Sequence, residues 1–281
     1  MGLWKSNFEA NIQALEHGLS LERCEFDTWR CTGDALIVAA GPSIKNDESK
    51  KLELLRGFKG TIYATDGIFA EMVKRNIIPD YVCSVDSDPI IASLYDAHMN
   101  RSTRTLLAIT VHPDVCKRLR CLNIKWFMPE IDNPDDEGSM TNRALKMGIP
   151  VIKPFGNVGA CLYNIATWMH RIHGHSRIGL VGFDYSYPSL DFNLTQYYHQ
   201  LMEIAEGDEE KAKSLMLDVY NPITKKHVWT DPVYFTYRTA FLRMFKMQPK
   251  RVQKKTWNLT GDGILFGGGL KWGKLEEWVG R

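Results

Sequence analysis

Four short segments place glycine or polar residues directly after apolar runs. Residues 35–44 read ALIVAAGPSI, so an Ile/Val/Ala run stops at Gly41-Pro42-Ser43. Gly41 lets a ligand approach the backbone, Pro42 stiffens the turn, and the Ser43 hydroxyl can serve a phosphate or a ribose. A second run ends in Thr65-Asp66-Gly67, a third in Asp86-Ser87-Asp88-Pro89, and a late one in Gly182-Phe183-Asp184-Tyr185-Ser186-Tyr187. Acids at such positions hold ribose hydroxyls or a divalent cation, or act as a general base. The plainer alternative is that each acid caps the following helix. Asp86-Ser87-Asp88 has the DxD form of metal-dependent nucleotide-sugar enzymes, which makes Asp86 and Asp88 a candidate pair for Mg²⁺; Asp88 also suits the cap of a helix starting at Pro89.

Gly156-Asn157-Val158-Gly159 precedes a long apolar segment. Free N–H groups at a glycine-rich helix start suit a phosphate, and Gly159-Ala160 equally suits close helix–sheet packing. Among the histidines, His199 and His227 are acid/base candidates, whereas His170, His173 and His175 fall at a helix end, where they would meet its carbonyls. Gly261 to Gly269 carries no dinucleotide fingerprint, follows no clear βαβ strand, and reads as a turn-rich loop.

The elements that must position these residues alternate. Strands are expected at 36–40, 61–65, 81–85, 105–110, 124–128 and 177–181. Helices are expected at 4–18, 47–57, 67–75, 89–97, 113–120, 139–147 and 158–173. The alternation predicts an α/β fold: a Rossmann-like, doubly wound, mostly parallel sheet with an N-terminal helix. The polar ends of its strands would converge on one crevice. Residues 129–140, acidic and without periodicity, are expected to form a surface loop and a candidate lid. After about 188 the character changes: 196–217 reads as one polar helix and 231–245 as an aromatic amphipathic helix. The organisation is therefore read as 1–34 N-terminal segment, 35–187 nucleotide-binding core, and 188–281 helical C-terminal cap.

Composition narrows the classes. The chain has 281 residues, 44% of them hydrophobic and 24% charged, enough for one large or two smaller domains. A formal net charge of +2 gives no global case for nucleic acid. No run reaches the ~18 apolar residues of a membrane span. The six cysteines form no CxxC pair; Cys83 and Cys161 lie in apolar runs and read as core residues. With no signal-peptide apolar region among the first residues, a reduced, cytoplasmic protein is expected. No Ser–His–Asp order, nucleophile elbow or HExxH is present, which argues against those hydrolases.

Taken in order, residues 39–44 (AAGPSI), 64–67 (ATDG), 78–86 (IPDYVCSVD), 156–160 (GNVGA) and 182–187 (GFDYSY) resemble the motility-associated factor (Maf) glycosyltransferases. Those share the MptE-like domain with archaeal 6-hydroxymethylpterin diphosphokinases. The series is also similar to bacterial sialyltransferases that use CMP-sialic acid. With 228–238 and 257–263, the resemblance spans about 35–270. It implies a nucleotide-dependent transferase. In the glycosyltransferase branch the donor is a CMP-linked nonulosonic acid or related nucleotide sugar, and the acceptor a hydroxyl. Gly41, Pro42 and Ser43 would then line the nucleotide pocket, with Asp66 and Gly67 near the ribose or base. Gly156, Asn157, Val158 and Gly159 would lie near the phosphate. Asp184, Tyr185 and Tyr187 would shape the donor site, a tyrosine hydroxyl assisting phosphate departure, with Asp86 or His199 as base. The diphosphokinase branch implies ATP, with Mg²⁺ on Asp86 and Asp88. A third expectation is a nucleotide-binding module without turnover, whose aromatic tail recruits a partner.

Overall fold

The computed structural model describes residues 2–16, 31, 33–45, 50–95, 103–119, 124–173, 177–189 and 196–280. Its centre is a parallel sheet of nine strands in the order β11-β10-β7-β1-β2-β3-β4-β5-β6. The strands are β1 (Ala35–Val38), β2 (Thr61–Thr65), β3 (Tyr81–Ser84), β4 (Arg104–Ala108), β5 (Ile124–Pro129), β6 (Val151–Ile152), β7 (Ile178–Val181), β10 (Thr256–Asn258) and β11 (Lys271–Trp272). β8 (Leu217–Asn221) and β9 (Lys226–Thr230) form a separate antiparallel hairpin. β1 and β2 are buried along their whole length, as strands covered on both faces must be.

Alternate strand residues face two helical layers. Ile37, Tyr63, Leu106 and Phe127 pack with α7 (Val158–His173) and α10 (Pro232–Met247). Leu36, Val38, Ile62 and Ala64 face the other way, towards α2 (Pro42–Lys45), α3 (Lys51–Leu54), α4 (Asp66–Lys74) and α12 (Leu275–Val279). That second layer continues over β3–β5 with α1 (Gly2–Glu16), α5 (Pro113–Arg118) and α6 (Met140–Lys146). The chain leaves β1 towards β2 on one side, while β7 pairs with β1 on the other. That reversal opens a crevice at the carboxyl ends of the central strands.

α1 sits over part of this carboxyl edge. Asn7 Nδ2 donates to the carbonyls of Ser87 (3.0 Å) and Thr110 (3.2 Å), and Asn11 Nδ2 to those of Ile109 and Val111, each at 2.8 Å. Phe8 is fully buried beneath the helix.

The C-terminal segment differs from a purely helical cap. β10 extends the sheet beside β7, and the glycine-rich loop at 261–269 runs from it to β11 with no helix between, so it is no βαβ turn. The expected helix at 196–217 is two, α8 (Tyr198–Ile204) and α9 (Glu209–Ser214), with α11 (Lys250–Gln253) further on. The break falls at Gly207, in the left-handed region at φ 84°, and at Asp208, which caps α9 by accepting from the Lys211 amide. Residues 89–95 form 3-10 turns rather than an α-helix. The 129–140 loop is the ordered cap of α6, with Asp132 accepting from the amides of Met140 (2.8 Å) and Thr141 (3.0 Å). His170 bonds the Tyr63 hydroxyl at 3.0 Å. Cys31, Cys83, Cys116 and Cys161 are free and buried; Cys24, Cys121, His175 and the His173 side chain lie outside the described residues. Among the described residues, no helix is long and apolar enough to cross a membrane.

Candidate functional site

The Gly41-Pro42-Ser43 turn and the end of β7 form one unit. Backbone bonds continue past the strands, from the Ala39 amide to the Val181 carbonyl (2.8 Å) and from the Gly41 amide to the Gly182 carbonyl (3.0 Å). The buried Asp184 carboxylate accepts from the Ser43 amide (3.1 Å) and hydroxyl (2.8 Å). A Cβ on Gly41 would stand 2.0 Å from Asp184 Oδ2 and 2.4 Å from the Gly182 carbonyl, so only glycine fits. Burial pushes the Asp184 carboxyl up to about 7, against the pull of the Ser43 bonds. Ser43 is therefore spent on Asp184 and does not line the cavity.

At the end of β2, Asp66 opens α4. Its Oδ1 accepts from the Gly67 amide (2.8 Å) and its Oδ2 from the Ser84 hydroxyl (2.6 Å), which in turn lies 2.7 Å from the Tyr95 hydroxyl. Burial raises this carboxyl to about 6, and the Ser84 bond opposes the rise.

α7 begins where the sequence predicts. Asn157 caps it, with Oδ1 accepting from the Ala160 amide (2.9 Å) and Nδ2 donating to the Tyr185 hydroxyl (3.3 Å). The amides of Val158 and Gly159 precede the first intrahelical bond and point out of the helix start, where an anion is favoured. Gly156 has φ 95°, and a Cβ there would meet the Tyr237 ring at 2.7 Å.

These pieces enclose a cavity of about 320 Å³, lined by Gly41, Pro42, Asp66, Gly67, Asn157, Val158, Gly159, Asp184 and Tyr185 from the expected set. Lys45, Gln196, Tyr197, Tyr234 and Tyr237 are among its other lining residues. The Tyr197 ring lies 5.2 Å from Tyr234 and 6.0 Å from Tyr237, and Tyr185 lies 6.3 Å from Tyr234. Burial raises Tyr185, Tyr197 and Tyr234 above the ordinary phenol range, so each stays a neutral hydrogen-bond donor. A second cavity of about 430 Å³ adjoins the first and shares half its lining with it, Asp66, Asn157, Val158, Tyr197 and Tyr237 included; Asp86 and Gly156 line this one alone.

Several expected residues stand elsewhere. Tyr187 lines neither cavity, and its hydroxyl donates to Asp231, the cap of α10. Asp88 is exposed and accepts from the Ile90 amide at 2.8 Å, and its own amide donates to Asp86 Oδ1 at 3.1 Å. Among the described residues no group of three or more His, Cys, Asp or Glu side chains could hold a metal. His199 is exposed on α8 against Tyr198, and His227 pairs with Asp218 on the hairpin at 2.8 Å. Residues 129–140 line neither cavity. The tyrosine wall went unnoticed in the sequence, although Tyr234 and Tyr237 share one face of α10 by their i, i+3 spacing.

A protein-family profile described as "6-hydroxymethylpterin diphosphokinase MptE-like" matches residues 6–189. No curated protein matches the sequence. Among solved structures, the MAf glycosyltransferase from Magnetospirillum magneticum AMB-1 superposes with a TM-score of 0.60 at 14% identity, over 89% of this chain and 34% of that one. The likeness is one of fold, and this chain spans about a third of that neighbour's length.

Proposed function

This chain belongs to the MptE-like family, and on that premise we propose that it is a nucleotide-dependent glycosyltransferase. Its donor is a CMP-linked nonulosonic acid or related nucleotide sugar, and its acceptor a hydroxyl. The observation that carries this reading is the meeting, in one cavity, of the α7 N-terminus, Lys45 and a tyrosine wall. The free amides of Val158 and Gly159 suit one phosphodiester. The tyrosine rings offer stacking faces to a base or sugar, and their neutral hydroxyls can stabilise charge on a departing phosphate. Lys45 is the only lysine or arginine among the described lining residues, whereas Asp66 and Asp184 are both present. That balance suits a monophosphate donor better than a bare triphosphate. The structural likeness to a glycosyltransferase covers most of the chain, and thus extends into the tail that supplies Tyr197, Tyr234 and Tyr237. Asp184 holds the Gly41 turn in place through Ser43.

The family's own description favours a second reading, diphosphoryl transfer from ATP. That chemistry uses Mg²⁺ to balance phosphate charge. Asp66 is buried, with one lone pair of each oxygen engaged. Asp86, exposed at the second cavity, is the carboxylate available to a phosphate-borne Mg²⁺.

Thermal-shift measurements separate the readings. CMP at a hundredfold excess over Kd should stabilise the protein by about 2.7 kcal/mol. A shift with ATP–Mg²⁺ and none with CMP would transfer the assignment to diphosphoryl transfer. CMP binding without release of CMP from a CMP-sugar in the presence of any alcohol would leave a binding module.

A further inference from the structure

Asp66 stands where the two cavities meet. The second cavity is walled by apolar side chains, Trp4 from α1, Val85 after β3, and Ile91 and Leu94 from the 3-10 turns. It lacks lysine and arginine among its described lining residues, and it meets the start of α7 at Asn157 and Val158, which it shares with the first cavity. Its carboxylates are Asp86 on the exposed side and Asp66, 6% exposed, on the boundary.

We propose that this second cavity receives the acceptor, an alcohol on an apolar body, and that Asp66 takes the proton of its hydroxyl. The inference rests on the transferase reading above. The acceptor oxygen forms a bond to the anomeric carbon, and the bond from that carbon to the phosphate oxygen breaks. The electron pair leaves with CMP, and the proton passes to an Asp66 oxygen and then to water.

The surroundings of Asp66 suit that task. Gly67 and Ser84 each take one lone pair of the carboxylate and fix its plane, while a carboxylate has about four such acceptor sites. The Ser84 proton goes to Asp66, so the Tyr95 hydroxyl donates to Ser84, and the orientation is braced from β3 and from the 3-10 turns together. The groups that bear on the proton are the Ser84 hydroxyl, the Gly67 amide and Asp86, the last raising proton affinity by like charge. Tyr95 and Cys83, both pushed well above their ordinary ranges by burial, remain neutral beside it. The resulting value of about 6 leaves a base that is ionised at neutral pH. Asp184, the other raised carboxyl, is tied to Ser43 at the far side of the first cavity and lines only that one.

The test uses the full chain with CMP-N-acetylneuraminic acid as donor, and benzyl alcohol against methanol as acceptors. Benzyl alcohol should stabilise the CMP-bound protein and accelerate CMP release at a concentration where methanol does neither, and Trp4→Ala should abolish both effects with the CMP Kd kept within about threefold. Asp66→Asn should slow CMP release by about 100-fold or more, again with CMP binding retained. Ser84→Ala removes a bond that favours the carboxylate, so the acid limb of the rate should move to higher pH. This variant keeps the base and reads the same proton transfer if Asp66→Asn does not fold. Absence of any benzyl alcohol effect on the CMP-bound protein overturns the acceptor assignment. An Asp66→Asn rate within tenfold of wild type, or an unmoved acid limb in Ser84→Ala, overturns the base assignment. Failure of the wild-type protein to bind CMP refutes instead the transferase reading from which this one starts.

Discussion

Asp184→Asn should make the protein more stable at alkaline pH, although it removes a side chain of the candidate site. Asp184 is 2% exposed, and burial raises its carboxyl from 3.8 to about 7. Lys51 and the Ser43 bonds oppose the rise, and Asp262 adds to it. Between about pH 4 and pH 7 the folded chain therefore keeps a proton that the unfolded chain has released, and stability falls as pH rises through that window. Above pH 7 the folded state carries the full cost of the buried charge, about 4 kcal/mol. Asparagine avoids that cost and keeps the contacts. Its Oδ1 can accept from the Ser43 amide, and its Nδ2 can donate to the Ser43 hydroxyl, which accepts as readily as it donates. Urea unfolding of both proteins at pH 5 and pH 8 measures the effect. The advantage of Asp184→Asn should grow by about 3 kcal/mol between those two values. An advantage equal at both pH values would refute the assignment of a raised carboxyl, and with it the account of how the Gly41 turn is held.

Gly41→Ala should lower the melting temperature and abolish the CMP shift, because its methyl would press on Asp184 and the Gly182 carbonyl at a cost of about 1–3 kcal/mol; melting curves with and without CMP check both halves. Asn11→Leu should cost about 1–3 kcal/mol, since the carbonyls of Ile109 and Val111 lose their buried donor. Hydrogen exchange should rise first in α1, and uniform protection loss would point to a global effect instead. Asn157→Ala removes the α7 cap and the bond to Tyr185, for about 1 kcal/mol of stability and a weaker CMP affinity, both readable by calorimetry.

The central strands were legible because each is an apolar run ended by a polar or glycine residue, a pattern that survives without knowledge of any neighbour. β2 begins and ends at the expected residues, and β1, β3 and β7 do so within two. The two-residue β6 and β11 and the three-residue β10 left no such trace, since a strand that short carries no periodicity and exists only because a neighbour pairs with it. His199 and Tyr187 had the right chemistry in the right segment, yet one faces solvent and the other binds Asp231.

Local pattern alone thus determined the parallel α/β class, the polar strand ends and the capped glycine turn before α7, because those depend on residues close together in the chain. Tertiary structure alone decided that Ser43 serves Asp184, 141 positions away, that Asp66 rather than Asp88 lies between two cavities, and that α10 turns Tyr234 and Tyr237 inward. A helix has the same spacing whichever way it is rotated, and a carboxyl acquires its proton affinity from burial and partners that only the folded chain supplies.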